Sequence, residues 1–286
     1  MKLASYIHHG ERRYGIPTPD GMIDLHAHLG QQFADLKALL ANNGLPLARE
    51  LAQLKPTIAF ADVTFLPVIE HPEKILCVGM NYAEKRKEFD QHNPAPTLFV
   101  RFADSQTGHD APIVKPLHSS EFDYEGELAV IMGKSGEHIA RADALSHVAG
   151  YSCYMDGSAR DWQHSWFTAG KNWPQTGAFG PWMTTSDEIP DPQSLGIRTW
   201  LNGVMVQQDN TSSMIHDVAE LIEYISTFTR LSAGDVIITG SPGGVGKKRN
   251  PPLFMHHGDQ IEVEIDKIGH LSNVIVDAAQ LHSAVA

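Results

Sequence analysis

Residues 123–132 read DYEGELAVIM, and this stretch decides the fold class because it joins an acidic start to an apolar strand. The aliphatic residues that follow predict a β-strand over Tyr124–Met132. Side chains on a strand alternate between its two faces, so Asp123, Glu125 and Glu127 are expected to share one face. Three carboxylates on one face repel each other unless water solvates them or a cation lies between them.

A solvated acidic face is the common interpretation of such spacing. Here the strand continues into LAVIMG, which indicates an internal strand, and internal carboxylates need neutralisation. Asp156, at the end of a second apolar strand, is the expected third ligand of a divalent cation, with Asp161 as its rival. Carboxylate oxygens favour Mg²⁺ or Mn²⁺, with Ca²⁺ also possible. We therefore predict a metal site formed by Glu125, Glu127 and Asp156.

The composition narrows the class of partner. The 286 residues carry a formal charge of −12 at pH 7, with 42% hydrophobic and 20% charged residues, as expected for a globular protein. The acidic balance argues against a nucleic-acid surface, which needs clustered Lys and Arg, but it allows a small anionic substrate. Two cysteines give no disulfide framework. Neither a membrane-length apolar run nor a signal-peptide core is present in the sequence, so we expect a cytoplasmic protein with no membrane partner.

Turn and periodicity patterns divide the chain near residue 70. Residues 1–70 predict a small N-terminal α/β domain with three short strands and two helices. Residues 71–286 predict a β-rich domain whose strands do not alternate strictly with helices, which disfavours a doubly wound parallel sheet. The expected strands are Ile75–Val78, Thr97–Arg101, Tyr124–Met132, Gly150–Met155, Ile197–Leu201, Asp235–Thr239 and Gln260–Ile265, and the expected helices are Ala142–Ser146 and Met214–Phe228. The fold class is thus mixed α/β and β-rich.

Two further stretches have the composition of a binding site. TGSPGGVG, residues 239–246, follows an apolar strand; its glycines let backbone N–H groups approach a ligand, and Ser241 offers a hydroxyl. A plain turn is the alternative interpretation, and the spacing is not that of a P-loop. AGKNWPQTGAFGPW, residues 169–182, contains Lys171, which is either a surface lysine or a positive charge beside the metal.

Six segments, in this order, resemble the fumarylacetoacetate hydrolase superfamily: KILCVGMNYAE, DYEGELAVIMGK, GYSCYMDGSARDWQ, GKNWPQTGAFGPW, DVIITGSPGGVG and GDQIEVEI. The N-terminal segment resembles the small extra domain of its bacterial members, which include acylpyruvate hydrolases and 2-hydroxyhepta-2,4-diene-1,7-dioate isomerases. The resemblance implies the family's C-terminal β-sandwich roll, a homodimer, and Mg²⁺ or Mn²⁺ held by Glu125, Glu127 and Asp156. It also implies small anionic keto-acid substrates. The positions that match the family's metal shell or substrate site are Tyr82, Arg160, Gln163, Lys171, Gly240 and Ser241.

The sequence departs from many hydrolytic members in the segment that follows NYA. In those members of the family that the chain resembles, a histidine and a glutamate three residues later together activate water. Here Lys85 stands at the histidine position and Glu88 is in place. A lysine ammonium is no base at neutral pH, and we expect Lys85 to pair with Glu88. Either Glu88 acts alone, or His92 of the same segment replaces the histidine, or the reaction needs no attacking water.

The first functional hypothesis is a metal-dependent hydrolase that cleaves the C–C bond of an acylpyruvate-type 2,4-diketo acid. The metal would stabilise the enolate that leaves, and Lys171 would add positive charge. The alternative, favoured by Lys85, is a metal-dependent isomerase, tautomerase or decarboxylase of an unsaturated 2-oxo-diacid or of oxaloacetate. A third hypothesis, a protein whose ion only supports folding, leaves Lys171, Ser241 and Glu88 without a role.

Overall fold

The structure, a computed structural model, describes residues 1–283. Over these residues the strands are β1 (Lys2–His8), β2 (Glu11–Thr18), β3 (Gly21–Asp24), β4 (Thr64–Phe65), β5 (Ile75–Gly79), β6 (Thr97–Arg101), β7 (Gln106–Thr107), β8 (Ile113–Lys115), β9 (Phe122–Asp123), β10 (Gly126–Met132), β11 (Val148–Asp156), β12 (Ser158–Ala159), β13 (Gly177–Thr185), β14 (Gly196–Leu201), β15 (Val204–Asn210), β16 (Val236–Ile238), β17 (Gln260–Ile265) and β18 (Gly269–Asp277). The α-helices are α1 (His26–Leu29), α2 (Leu36–Ala41), α3 (Leu45–Leu51), α4 (Ala83–Phe89), α5 (Thr168–Lys171), α6 (Val218–Phe228) and α7 (Ala278–Ser283). No helix in this part of the chain is long and apolar enough to cross a membrane.

Two mixed sheets pack face to face. The larger has the order β3-β2-β1-β13-β11-β10-β16-β5-β6, with β4 added to β1 and β7 to β13, and the smaller has the order β15-β14-β17-β18-β8. Their facing side chains form one apolar core, in which Leu128 and Val130 of β10 join Val263 and Ile265 of β17. Apolar residues at alternate positions of these strands explain why the two faces meet. The predicted mixed α/β, β-rich fold class is confirmed.

The other face of the larger sheet is covered by the N-terminal helices. Ala129 and Ile131, which alternate with the residues above, lie in a second core with Leu36, Leu39 and Leu40 of α2. β10 is therefore apolar on both faces, as is typical of a central strand. Its two buried faces fix the position of the acidic residues at its start.

The N-terminal unit is joined to the larger sheet through β1. Lys2 and Leu3 pair with Thr184 and Met183 of β13, so the sheet is continuous across the two predicted domains. The division at residue 70 stays a prediction.

The strand predicted over Tyr124–Met132 begins two residues late. Asp123 belongs to the short strand β9, and its Oδ1 accepts a hydrogen bond from Tyr124 N–H at 2.8 Å. That bond takes the N–H of Tyr124 out of a sheet ladder, so β10 starts at Gly126. The prediction that Asp123 shares a strand face with Glu125 and Glu127 was therefore wrong.

Other element predictions also differ from the structure. The helix predicted over Ala142–Ser146 is a single 3-10 turn at Ala144–His147, because β11 begins directly after it. The helix predicted from Met214 begins at Val218, where the N-cap carboxylate of Asp217 accepts from Glu220 N–H at 2.8 Å. Strand β13 was missed because its sequence, GAFGPWMTT, contains glycines and a proline, which are rare in strands.

Candidate active site

The ends of β10 and β11 bring three carboxylates together. The two strands pair antiparallel, with Gly126 opposite Met155, and Asp156 N–H donates to the carbonyl oxygen of Glu125 at 2.8 Å. One carboxylate oxygen from each of Glu125, Glu127 and Asp156 lies within 4.8 Å of the other two. All three residues are buried. We refer to them as the acidic cluster, and they are the three residues that the sequence predicted as metal ligands.

Two buried lysines contact the acidic cluster. Lys171 Nζ contacts Glu125 Oε2 and lies 2.5 Å from Asp156 Oδ2. Lys85 Nζ contacts Glu125 Oε1 and Ser241 Oγ. Both lysines are at most 3% exposed, so bulk water and salt screen these ion pairs very little. Lys171 is thus a lysine of the cluster and not of the surface.

Two arginines complete the shell of cations. Arg101 Nη1 contacts Asp156 Oδ1. Arg160 donates through Nη2 to Glu125 Oε1 at 3.0 Å and through Nε to Asp123 Oδ2 at 2.8 Å. The formal charges sum to zero, because four carboxylates and four cations contribute: Asp123, Glu125, Glu127 and Asp156 against Lys85, Arg101, Arg160 and Lys171.

The pKa values of the two glutamates are shifted in opposite directions. Burial opposes ionisation of Glu125, but the charges of Arg160, Lys171 and Lys85 outweigh it and hold the pKa of Glu125 well below its usual value. Burial, together with the neighbouring charges of Asp156 and Glu125, raises the pKa of Glu127 well above its usual value. Glu127 is therefore the carboxylate of the cluster that has too little positive charge near it.

The position of Glu127 fits a ligand of a divalent cation. Its Oε2 accepts a hydrogen bond from Gly240 N–H at 2.6 Å. Gly240 has a φ of 97°, a left-handed conformation that favours glycine, and a Cβ there would lie 2.8 Å from the carbonyl oxygen of Val78. The loop is thus shaped to bring one N–H to this carboxylate. A buried set of three hard carboxylate oxygens, with Glu127 undercompensated, fits Mg²⁺ or Mn²⁺.

Comparison with known proteins gives the family. The family model described as fumarylacetoacetate (FAA) hydrolase C-terminal matches residues 74–276. This chain belongs to the fumarylacetoacetate hydrolase family. The resemblance that the six sequence segments indicated is therefore confirmed.

Relatives within the family carry out different reactions. Human mitochondrial oxaloacetate tautomerase FAHD2A is 41% identical over 234 residues, which are 80% of this chain and 74% of that protein. The structure of maleylpyruvate hydrolase from Sphingobium sp. SYK-6, in complex with manganese(II) and pyruvate, superposes with a TM-score of 0.82 at 29% identity and covers 97% of this chain and 99% of that chain. The structure of 2-hydroxyhepta-2,4-diene-1,7-dioate isomerase from Mycobacterium marinum superposes with a TM-score of 0.74 at 29% identity, with 97% and 99% covered.

The segment in which this chain departs from the family's hydrolases lies on α4. Lys85 points into the acidic cluster, whereas Glu88 accepts a hydrogen bond from Gly244 N–H at 2.8 Å through Oε1. The expected pairing of Lys85 with Glu88 was therefore wrong, because the two side chains bind different partners. His92 does not reach the site, since its side chain is 87% exposed and pairs with Asp90. The structure thus offers no support for His92 as the replacement base.

The remaining predicted site residues lie around the cluster at different distances from it. Gln163 Oε1 accepts from Arg160 Nη1 at 3.4 Å, and its amide nitrogen has no partner among the described residues. Tyr82 is fully buried at the start of α4, and its hydroxyl is also unpartnered there. Asp161, the rival metal ligand, instead accepts hydrogen bonds from Ser119 and Ser120. Arg160 and Gln163 thus both line the larger cavity beside the cluster, whereas Tyr82 and Asp161 do not.

Sequence reasoning missed two residues that shape the site. Arg101, at the end of β6, contacts Asp156, and Asn81 holds the chain just before α4. The side chain of Asn81 donates to the carbonyl oxygens of Thr239 and His216, at 2.8 and 3.0 Å. A buried cation or amide within a predicted apolar segment is the only local indication that either residue has a specific partner.

Proposed function

We propose that this protein is a metal-dependent tautomerase that interconverts the keto and enol forms of a 2-oxo-diacid such as oxaloacetate. The placement of Lys85 carries the proposal. Its ammonium group is buried against Glu125 and Ser241, at the position where many hydrolytic members carry a histidine. Of the described residues that line the small inner cavity at the acidic cluster, none is a histidine. Tautomerisation fits this site because it consumes no water.

Sequence similarity supports the same reaction class. The human relative at 41% identity is an oxaloacetate tautomerase, and that identity extends over most of this chain. The hydrolase and isomerase structures are less similar in sequence, at 29% identity each. The tautomerase hypothesis therefore agrees with the nearer of these relatives and with the lysine in the site.

The charge of the site supports a dianionic substrate. The four buried carboxylates and four buried cations already sum to zero. A divalent cation adds two positive charges, which a 2-oxo-diacid with two ionised carboxylates would offset. The site, the metal and such a substrate together carry no net charge, which favours their association.

Each side chain has a distinct role in the proposed reaction. Glu125, Glu127 and Asp156 would hold Mg²⁺ or Mn²⁺, which supplies Lewis-acid stabilisation of negative charge on the substrate oxygens. Lys171, held by Glu125 and Asp156, adds a fixed positive charge beside those oxygens. In the enol-to-keto direction, Lys85 delivers a proton from Nζ to carbon, the enol hydroxyl loses its proton to solvent, and Lys85 regains a proton from solvent. Ser241 orients the ammonium group of Lys85.

A spectroscopic assay tests the proposal. The protein is loaded with Mn²⁺ and mixed with the enol form of oxaloacetate, while enol absorbance, CO₂ and pyruvate are followed separately. We expect faster loss of the enol without CO₂ release, and no acceleration by Glu125→Gln. Asp90→Asn is the matched control, because its side chain is 95% exposed. CO₂ release at the rate of enol loss, or no acceleration at all, would overturn the proposal.

Hydrolysis of an acylpyruvate-type 2,4-diketo acid is the second candidate. One observation favours it: Oε2 of Glu88 is buried and has no hydrogen-bond partner among the described residues. An unpartnered carboxylate oxygen on the same helix as Lys85 is a group that can accept a proton from water. Cleavage of acetopyruvate to acetate and pyruvate, abolished by Glu88→Gln, would favour this candidate. A homodimer and a cytoplasmic location remain predictions under either function.

A further inference from the structure

A second, larger cavity lies next to the acidic cluster. Its volume is about 500 Å³, and it shares Met80, Arg160 and Phe167 with the small inner cavity. This volume lies within the range of complete small-molecule sites, roughly 300–1,000 Å³. A molecule as short as oxaloacetate, bound at the acidic cluster, would leave most of it unfilled. We call it the outer cavity.

The outer cavity is lined by aromatic side chains and by positively charged side chains. Phe89 of α4 and Trp166 and Phe167 of the loop before α5 supply aromatic surface, which packs well against a flat, conjugated chain. Arg160 and Lys247 supply positive charge, and none of the described residues that line the cavity is an aspartate or glutamate. The outer cavity therefore suits an unsaturated carbon chain that ends in an anion.

The two cations of the outer cavity differ in how fully neighbouring carboxylates offset their charge. Arg160 is buried and donates to Asp123 and Glu125, so its charge is already matched. Lys247 has one carboxylate partner, Glu121, at 3.0 Å, and these two side chains are 42% and 36% exposed. An exposed ion pair of this kind contributes little net stability, so a substrate carboxylate can replace Glu121.

The backbone holds Lys247 at this wall. Lys247 N–H donates to Asp123 Oδ2 at 3.1 Å, and the same oxygen accepts from Arg160 Nε. Asp123 thus ties the backbone of Lys247, which lines the outer cavity, to Arg160, which lines both cavities. The backbone of Lys247 is therefore held by a buried carboxylate, whereas its ammonium group pairs with the partly exposed Glu121.

We propose that Lys247 is a specificity-determining residue, which binds the distal carboxylate of a 2-oxo-diacid substrate. This proposal rests on the proposed function, because it assumes that the 2-oxo acid end binds at the acidic cluster. Lys247 is then the residue that selects a diacid over a monoacid of the same length. Glu121 competes with the substrate for the same ammonium group.

A pair of ligands that differ only at the distal end tests the role of Lys247. Calorimetry on the Mn²⁺-loaded protein compares 2-oxoadipate with 2-oxohexanoate. We expect 2-oxoadipate to bind about tenfold or more tightly, since a charge-assisted hydrogen bond is gained. Lys247→Gln should remove this preference and leave 2-oxohexanoate affinity unchanged, whereas Glu121→Gln should increase the preference. Lys134→Gln, which removes the same charge beyond the far end of β10, should change neither affinity.

Failure of this proposal and failure of the proposed function give different results. Equal affinity for the two ligands in the wild type, or equal weakening of both by Lys247→Gln, would overturn the role of Lys247 even if oxaloacetate is tautomerised. An intact preference for 2-oxoadipate with no acceleration of any keto–enol exchange would support the diacid site and overturn the tautomerase.

Discussion

Arg101 and Asp156 form an ion pair in which neither side chain is exposed to solvent. The remaining N–H groups of Arg101 donate to Gly157 O, to Ser105 O and Oγ, and to Thr176 Oγ1, at 2.8–3.2 Å. All five N–H groups of the guanidinium are thus used. Arg101 therefore fixes the orientation of one member of the acidic cluster while it supplies a charge.

Substitution of Arg101 separates these two contributions. Arg101→Lys keeps the charge but loses the planar fork of donors, so we expect Mn²⁺ affinity to fall roughly tenfold through misorientation of Asp156. Arg101→Met removes one partner of a buried pair, and we expect a loss of about 3–5 kcal/mol in the free energy of unfolding. Calorimetry with Mn²⁺ and urea unfolding measure the two effects. Unchanged Mn²⁺ affinity in folded Arg101→Lys would show that Asp156 is oriented by other residues.

Glu127→Gln is expected to separate metal binding from folding. The amide oxygen of glutamine still accepts the hydrogen bond from Gly240 N–H, and the substitution removes an undercompensated buried charge. The metal-free variant should therefore melt at the same temperature as the wild type or above it. Because the variant lacks one metal ligand, Mn²⁺ should no longer raise its melting temperature. In the wild type, Mn²⁺ at 100 times its Kd should raise the free energy of unfolding by about 2.7 kcal/mol. A Mn²⁺ response in the variant equal to that of the wild type would remove Glu127 from the ligand set.

The raised pKa of Glu127 predicts a pH dependence with a definite sign. The folded, metal-free protein binds this proton more tightly than the unfolded chain does, so the contribution of Glu127 to stability is complete below the ordinary glutamate pKa. It is lost as the pH rises towards the pKa of the folded state. We expect the melting temperature of metal-free wild type to fall relative to Glu127→Gln over that range. Mn²⁺ affinity should rise over the same range, because binding displaces the proton.

Local patterns predicted the acidic cluster because its members lie at the ends of apolar strands. Glu125 directly precedes β10 and Glu127 is its second residue, and Asp156 ends β11, which is the antiparallel neighbour of β10. The alternation of the strands and their hydrophobicity are properties of a few adjacent residues. Such properties can be recognised in one sequence without knowledge of distant contacts.

Contacts between distant parts of the chain could not be predicted in this way. Arg101 and Asp156 are 55 positions apart, and nothing next to either residue identifies the other. The turn that removes Asp123 from the strand depends on Arg160 and on the backbone N–H of Gly246, which binds Asp123 Oδ1 at 2.7 Å. Lys85 was expected to pair within its helix, but the folded chain brings it to Glu125 instead. In all three cases, contacts between residues far apart in the sequence determine where the side chain lies.

Asp123→Asn is expected to damage substrate binding without removing the metal. Asp123 is buried and accepts hydrogen bonds from Arg160 and from the backbone of Gly246 and Lys247, but it does not belong to the acidic cluster. Loss of its charge should displace the guanidinium group of Arg160 and lower kcat/KM by roughly tenfold to a hundredfold. The affinity for Mn²⁺ should remain nearly unchanged. Steady-state kinetics and calorimetry check the two halves of this prediction. A fall in Mn²⁺ affinity as large as that in Glu127→Gln would mean that Asp123 acts as a metal ligand.

Lys85→His should exchange one activity for another. Histidine titrates near neutral pH and can accept a proton from water, but its shorter side chain loses the contacts of the ammonium group with Glu125 and Ser241. We expect tautomerase activity to fall by roughly a hundredfold or more and cleavage of acetopyruvate to rise above that of the wild type. Lys85→Met is the control, because it removes the ammonium group without adding a base, and it should lower the first activity without raising the second. Equal tautomerase rates in Lys85→Met and wild type would show that the proton reaches carbon from another group.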